Sequence, residues 1–167
     1  KKIVLLFLIL ICLVSCQNSN QQTFVGTDIS SVRMDTAFSL KDFNGRIRTL
    51  EDFKGKVVVL FFGFTHCPDI CPTTLTDLKK TMVLLKDKAS AVQVIFITLD
   101  PARDTEDVLK KFIPTFNSSF LGLTGTESDI DKVANQLKIF NKKVNDGSKA
   151  GYTIDHSAGS VSYTHLT

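Results

Sequence analysis

Cys67 and Cys71 stand with three residues between them in Gly63-Phe64-Thr65-His66-Cys67-Pro68-Asp69-Ile70-Cys71-Pro72, and they are the side chains of this sequence best suited to chemistry. If the segment coils, that spacing stacks two sulfurs one helical turn apart, close enough to form a disulfide or to share a metal ion. Pro72 is tolerated in a helix's first turn, because the N–H it lacks would have had no partner there. Cys71 is therefore expected near a helix N-terminus, where unpaired N–H groups draw a thiol pKa below its usual value of about 8.5. A purely stabilising disulfide is the bland alternative for an exported protein. So short a loop, however, constrains the unfolded chain little.

A third donor lies far downstream, in Tyr152-Thr153-Ile154-Asp155-His156-Ser157. A lone histidine is ordinarily a surface or hydrogen-bonded residue. Beside a reactive dithiol, with no other credible nitrogen donor in the sequence, His156 becomes the candidate third ligand. Two thiolates and an imidazole suit copper, since thiolate favours Cu(I) and imidazole accepts Cu(II) as well. Zinc ranks second: it wants a fourth ligand or a bound water, and structural zinc recruits more cysteines than this chain offers.

The elements that must position these residues follow from periodicity and turn chemistry. Asp42-Phe43-Asn44-Gly45, between Ala37-Phe38-Ser39-Leu40 and Arg46-Ile47-Arg48-Thr49, predicts a β-hairpin. Thr49 and Asp52 approximate a capping box, with Gly55 available to end a one-turn helix. Residues 57–64 and 92–99 are apolar on both parities and read as buried strands. Leu75, Leu78, Met82 and Leu85 recur at helical spacing over residues 73–88. A second helix runs from Thr105 through Val108, Leu109, Phe112 and Ile113, with Asp104, Glu106 and Asp107 at its positive end and Pro114 stopping or kinking it. A third spans 128–138 with Ile130, Val133, Ala134 and Leu137 inward, before extended pieces near 139–144 and 152–154. Alternating strands and helices predict an α/β chain of thioredoxin-like fold, its central mixed sheet flanked by helices, with an N-terminal β-hairpin extension.

At the N-terminus, Lys1 and Lys2 precede an apolar run over residues 3–14 that closes in Leu13-Val14-Ser15-Cys16 and then turns polar. This is signal-peptide grammar, and the run falls short of the roughly 20 residues a spanning helix needs. Its last four residues resemble the lipobox of bacterial lipoproteins. The expectation is a signal peptide at 1–15, lipidation of Cys16, a lipid-anchored linker at 16–34 and one domain at 35–167. Such a protein is extracytoplasmic and bacterial, held by lipid in the periplasm or on the outer face of the plasma membrane. Cys12 would leave with the peptide. Residues 160–167 continue no pattern, so the domain is expected to be incomplete at its C-terminal end, and His165 receives no role. The net charge of +3 is dispersed and Trp is lacking, so no nucleic-acid partner is expected.

Residues 55–75, residues 97–105 and Asp155-His156-Ser157 resemble the Sco/SenC family. Gly-Phe-Thr-His-Cys-Pro-Asp-Ile-Cys-Pro at 63–72 is the most specific part of the likeness, and Thr98-Leu99-Asp100-Pro101-Ala102-Arg103-Asp104-Thr105 is similar to a second family signature. The resemblance implies that Cys67, Cys71 and His156 bind copper. It also implies a chaperone that delivers copper to the dinuclear site of cytochrome c oxidase, reduces the cysteines there, or does both. Its partner would be the oxidase copper-site subunit or another copper carrier. The rival is an extracytoplasmic thiol-disulfide oxidoreductase acting without metal. Against it stand the Cys-x-x-x-Cys spacing and the placement of Pro68, Pro72, Pro101 and Pro114, none of which precedes a late strand facing the dithiol. A peroxiredoxin-like peroxidase would need Thr three residues before its cysteine, which neither Cys67 nor Cys71 has.

Lesser candidates surround the motif. His66 is expected to be a solvated imidazole and Asp69 a turn residue bonding to backbone. Asp100, Arg103 and Asp104 either orient the ligands or form an ordinary ion pair at a helix start. Phe61, Phe62 and Phe64 are expected in the core.

Overall fold

In the computed structural model, which describes residues 37–145, 151–157 and 159–164 together with Thr27 and Gly147, the Asn44-Gly45 turn closes a hairpin. Strand β1 (Leu40–Asp42) pairs antiparallel with β2 (Ile47–Arg48), and Gly45 takes the positive φ of 80° that such a turn requires. The buried Asp42 carboxylate gathers the turn by accepting from Asn44 N, Arg46 N and Arg48 Nε. The expected signal peptide, Cys16, most of the expected linker and His165 lie outside the described residues.

A capping box of Thr49 and Asp52 starts a 3-10 turn, Leu50–Phe53, that leads to β3 (Val57–Gly63). The first α-helix, α1, covers Ile70–Leu85 and a 3-10 turn extends it to Ala91, before β4 (Val92–Thr98). Helix α2 (Glu106–Phe112) is capped by Thr105, whose hydroxyl accepts from Val108 N, and it gives way at Ile113-Pro114. Next come β5 (Leu121–Thr124), then α3 (Glu127–Gln136) behind the Thr126–Asp129 capping box. Two antiparallel strands follow, β6 (Asn141–Val144) and β7 (Thr153–His156), and then β8 (Ser160–Thr164).

The main sheet has the order β2-β1-β5-β4-β3-β8, with β3, β4 and β5 parallel and β1 and β8 antiparallel to their neighbours. This is the mixed sheet of a thioredoxin-like fold. The hairpin is more than an extension, because β1 pairs with β5 and so joins the sheet. Neither β5 nor β8 has a clear sequence signal. Strand β5 is four residues interrupted by Gly122, whose missing side chain makes room for Phe43, Leu109 and Ile113. Strand β8 is an edge, where pairing with β3 needs no continuous apolar run.

Alternation along the central strands divides the core in two. Val58, Leu60 and Phe62 of β3, with Ile95 and Ile97 of β4, face α3 and the Ile154 side chain. Phe61, Val94 and Phe96 face α1 and α2 through Leu75, Met82 and Leu109. Among the described residues no helix is long and apolar enough to cross a membrane.

Candidate metal centre

The two cysteines sit where β3 leaves the core and α1 begins. Cys67 lies in the connecting loop, where its N–H donates to the Phe64 carbonyl at 3.2 Å. Helix α1 begins at Ile70, three residues before the periodicity predicts, which makes Cys71 its second residue and places Pro72 within the first turn. The Cys71 N–H points at Cys67 Sγ at 3.4 Å, so the helix start already orients one sulfur against the other. Cys71 is fully buried and Cys67 is half-buried; both are free thiols.

His156 is the last residue of β7, paired with Asn141 of β6. Its Nε2 lies 3.7 Å from Cys71 Sγ, and Phe64 meets the ring edge-on at 5.9 Å between centroids. Nδ1 lies 3.0 Å from the Ser157 carbonyl, which can only accept; in the neutral ring the proton therefore sits on Nδ1 and Nε2 keeps a free lone pair toward the sulfurs. The ligand atoms of Cys67, Cys71 and His156 all lie within 4.8 Å of one another. For a first-row ion, bonds of about 2.3 Å to sulfur and about 2.0 Å to nitrogen, opened by about 120°, separate the donors by about 3.7 Å. The Cys71–His156 separation matches without further movement. A cleft of about 450 Å³, bordered by Phe64, Cys67, Pro68, Ile70, Phe140 and His156, opens the Cys67 and His156 side of the group to solvent.

The expected lowering of the Cys71 pKa does not occur. Burial pushes the thiol up to about 12; a backbone hydrogen bond from Phe64 offsets part of this, while Cys67 and Asp104 add to it. Desolvation outweighs the helix N-terminus because no water remains to stabilise the thiolate. The metal-free thiol is protonated at neutral pH, so a metal entering the site must displace that proton.

Gly63 has a role that the motif alone does not reveal. A Cβ on it would stand 2.7 Å from Cys71 Sγ, inside any tolerable contact, and a tight 3.1 Å from Phe96. Gly63→Ala should therefore push the sulfur out of line, costing about 1–3 kcal/mol of stability and weakening metal binding. Denaturant unfolding and metal titration of the variant measure both effects; if neither changes, the start of α1 can retreat freely. The available signal was a glycine closing a buried strand, where close approach is the usual reason for one.

Asp104 is fully buried and accepts from Thr65 N at 2.9 Å, Thr65 Oγ1 at 2.5 Å and Thr98 Oγ1 at 2.7 Å. It thereby ties the loop that carries Cys67 to the end of β4. Asp100 and Arg103 do form the ordinary ion pair, and Asp100 also accepts from the Tyr152 hydroxyl at 2.8 Å. His66 is half exposed, 3.1 Å from the Thr65 hydroxyl, and stands outside the group of three. Asp69 bonds through its carbonyl to Thr73 N and through its carboxylate to the Thr73 hydroxyl. Phe61, Phe62 and Phe64 are core residues.

Fold and site together define a thioredoxin-like domain with a vicinal dithiol at a helix start, met by one imidazole. The SCO1/SenC family model matches residues 27–162, and the chain belongs to that family. It is 39% identical over 137 residues to an SCO2-like protein of Rickettsia felis, covering 81% of this chain and 65% of the relative, so it spans just under two thirds of that protein. The structure of Bradyrhizobium japonicum ScoI with copper bound is similar at a TM-score of 0.75 and 35% identity, covering 80% of this chain and 84% of that one. BsSco, a member of the Sco family of cytochrome c oxidase assembly proteins in which a disulfide switch was identified, matches at 31% identity and a TM-score of 0.51 over 62% of each chain.

Proposed function

We propose that this protein binds one copper ion through Cys67 Sγ, Cys71 Sγ and His156 Nε2 and carries it to the dinuclear copper site of cytochrome c oxidase. The observation behind this reading is the convergence of two thiols and one imidazole nitrogen within 4.8 Å. Soft sulfur holds Cu(I), and imidazole keeps the site competent for Cu(II). The ScoI likeness, in a protein holding copper, supports the choice of metal. Copper is the cargo here. The half-buried Cys67 and the open cleft leave a route by which an acceptor's ligands can reach it.

The same dithiol can reduce an acceptor's disulfide: Cys67 and Cys71 each give up a proton and an electron as their own disulfide forms, and the acceptor's two sulfurs take both up. The disulfide switch of BsSco favours this second activity beside the first. The domain works outside the cytoplasm, tethered through lipid on Cys16. Metabolic labelling with a palmitate analogue should mark the wild-type protein and leave Cys16→Ala unlabelled; labelling of both would remove Cys16 as the anchor.

His156→Ala tests the ligand set. Loss of a group that merely orients a ligand costs about tenfold in metal affinity, so loss of the ligand itself should cost more than about tenfold. The visible thiolate-to-Cu(II) absorption should shift as well, while the Cys67–Cys71 disulfide still forms. Copper affinity equal to wild type would take His156 out of the site.

A further inference from the structure

Among the described residues, His156 belongs to a strand that shares no ladder pairing with the main sheet, whose β3 leads into the cysteine loop and α1. Strand β7 pairs, among the described residues, with β6 alone, and the two form a separate two-stranded sheet. From His156 the chain runs on into β8, which pairs with β3 of the main sheet, and the rest of the distance between imidazole and sulfurs is set by side chains that fasten the small sheet to the domain. Tyr152, just before β7, and Ile154 and His156 within it are spaced two apart and so share one face. Ile154 is buried in the core beside Phe62 and Phe64. Lys143 of β6 pairs with Glu127 of α3, but both side chains are largely exposed, and such a pair holds little.

A further fastening is directional. Arg103 donates through Nη1 to the Tyr152 carbonyl at 3.1 Å, and its guanidinium carbon lies 3.9 Å from the centre of the Tyr152 ring. Its Nε donates to Asp100, and the Tyr152 hydroxyl donates to the other oxygen of the same carboxylate at 2.8 Å. Asp100 is fully buried, and 18% of the Arg103 side chain is exposed. Tyr152 is thus gripped at its backbone, its ring and its hydroxyl. An apolar anchor such as Ile154 resists withdrawal but permits tilt and sliding. A planar guanidinium stacked on a ring and bonded to the same residue's carbonyl permits neither.

We propose that Arg103, acting through Tyr152 and Asp100, is a positioning residue for His156: it fixes the register of β7 and so holds the imidazole at coordinating distance from the two sulfurs. The proposal rests on the copper reading above and deepens it. The Asp100-Pro101-Ala102-Arg103 segment, which contributes no metal ligand, thereby gains a part in metal binding.

The test is a double-mutant cycle on the full 167-residue chain, reduced and anaerobic, with Cu(I) affinity read by competition against bicinchoninate. Arg103→Gln should weaken copper binding by about tenfold in the wild-type background. In the His156→Ala background the same change should have no effect, because the ligand through which Arg103 acts is gone. Arg103→Lys should lose nearly as much, since an ammonium cannot stack and bond in one plane. Tyr152→Phe keeps the ring, loses the hydroxyl bond and should fall between. Equal losses in both backgrounds overturn the proposal, because Arg103 would then act on the thiols or on the fold as a whole. Unchanged affinity in the wild-type background overturns it too. If Arg103→Gln fails to fold, Tyr152→Phe is carried through the same two backgrounds and judged by the same outcomes. Failure of the copper reading is separately visible: wild-type protein would bind no Cu(I), or His156→Ala would bind it as tightly as wild type.

Discussion

Cys71→Ser should bring the copper bound by the reduced protein from one ion per chain to none, and Cys67→Ser should do the same. Serine nearly preserves the volume of the side chain, so the fully buried position of Cys71 keeps its packing while the soft donor is lost. A hydroxyl is a hard, protonated donor that does not replace thiolate on Cu(I). One sulfur and one imidazole would remain, too few to hold the ion against a competing chelator. The same substitutions end disulfide cycling, since neither sulfur keeps a partner. Equilibrium dialysis with metal analysis, beside a thermal melt to establish folding, decides the matter. Stoichiometric copper retained by either folded variant would point to other ligands and end the dithiol reading.

Asp104→Ala should cost the most stability of any change near the site. The carboxylate satisfies the Thr65 backbone N–H and two hydroxyls, and the carbonyl of the same residue accepts from Thr124 Oγ1 at 3.3 Å. Alanine leaves the Thr65 N–H and the buried Thr98 hydroxyl without their acceptor, at about 1–3 kcal/mol for each group that water does not reach. A total of about 3 kcal/mol corresponds to a Tm lower by roughly 10 °C in a domain of this size. Copper affinity should fall with it, because Thr65 lies two residues before Cys67 and the loop loses its tie to β4. Asp104→Asn should be milder: the amide oxygen can still accept from Thr65 N–H and the Thr98 hydroxyl, while the Thr65 hydroxyl can turn to accept from the amide NH2. A melting temperature unchanged in Asp104→Ala would show that the loop is held by something else.

The local parts of this protein are legible in its sequence because local forces make them. Asn44-Gly45 demands a hairpin turn, the all-apolar runs before Gly63 and before Asp100 demand buried strands, and Pro72 admits a helix start at the cysteines. The dithiol spacing follows from these alone. Strands β5 and β8 are hidden because a short strand is stabilised by its neighbours, whose identity no nearby residue announces.

Four properties belong to the tertiary structure. The sequence offers His156 as a donor by elimination; only the folded chain, with Ile154 packed in the core, brings its Nε2 to 3.7 Å from a sulfur 85 positions away. Helix position predicts an acidic thiol at Cys71, whereas burial, which depends on everything packed around it, makes that thiol hard to ionise. Gly63 reads as a strand residue until Cys71 Sγ is found in the space its side chain would fill. Asp100, Arg103 and Asp104 read as a charged helix start until their partners, Tyr152 and Thr65, arrive from distant segments. In each case the deciding energy is desolvation or contact between residues far apart in the chain. Such terms have no value until the chain has folded, whereas backbone preference and periodicity act over a few residues and are already present in the sequence.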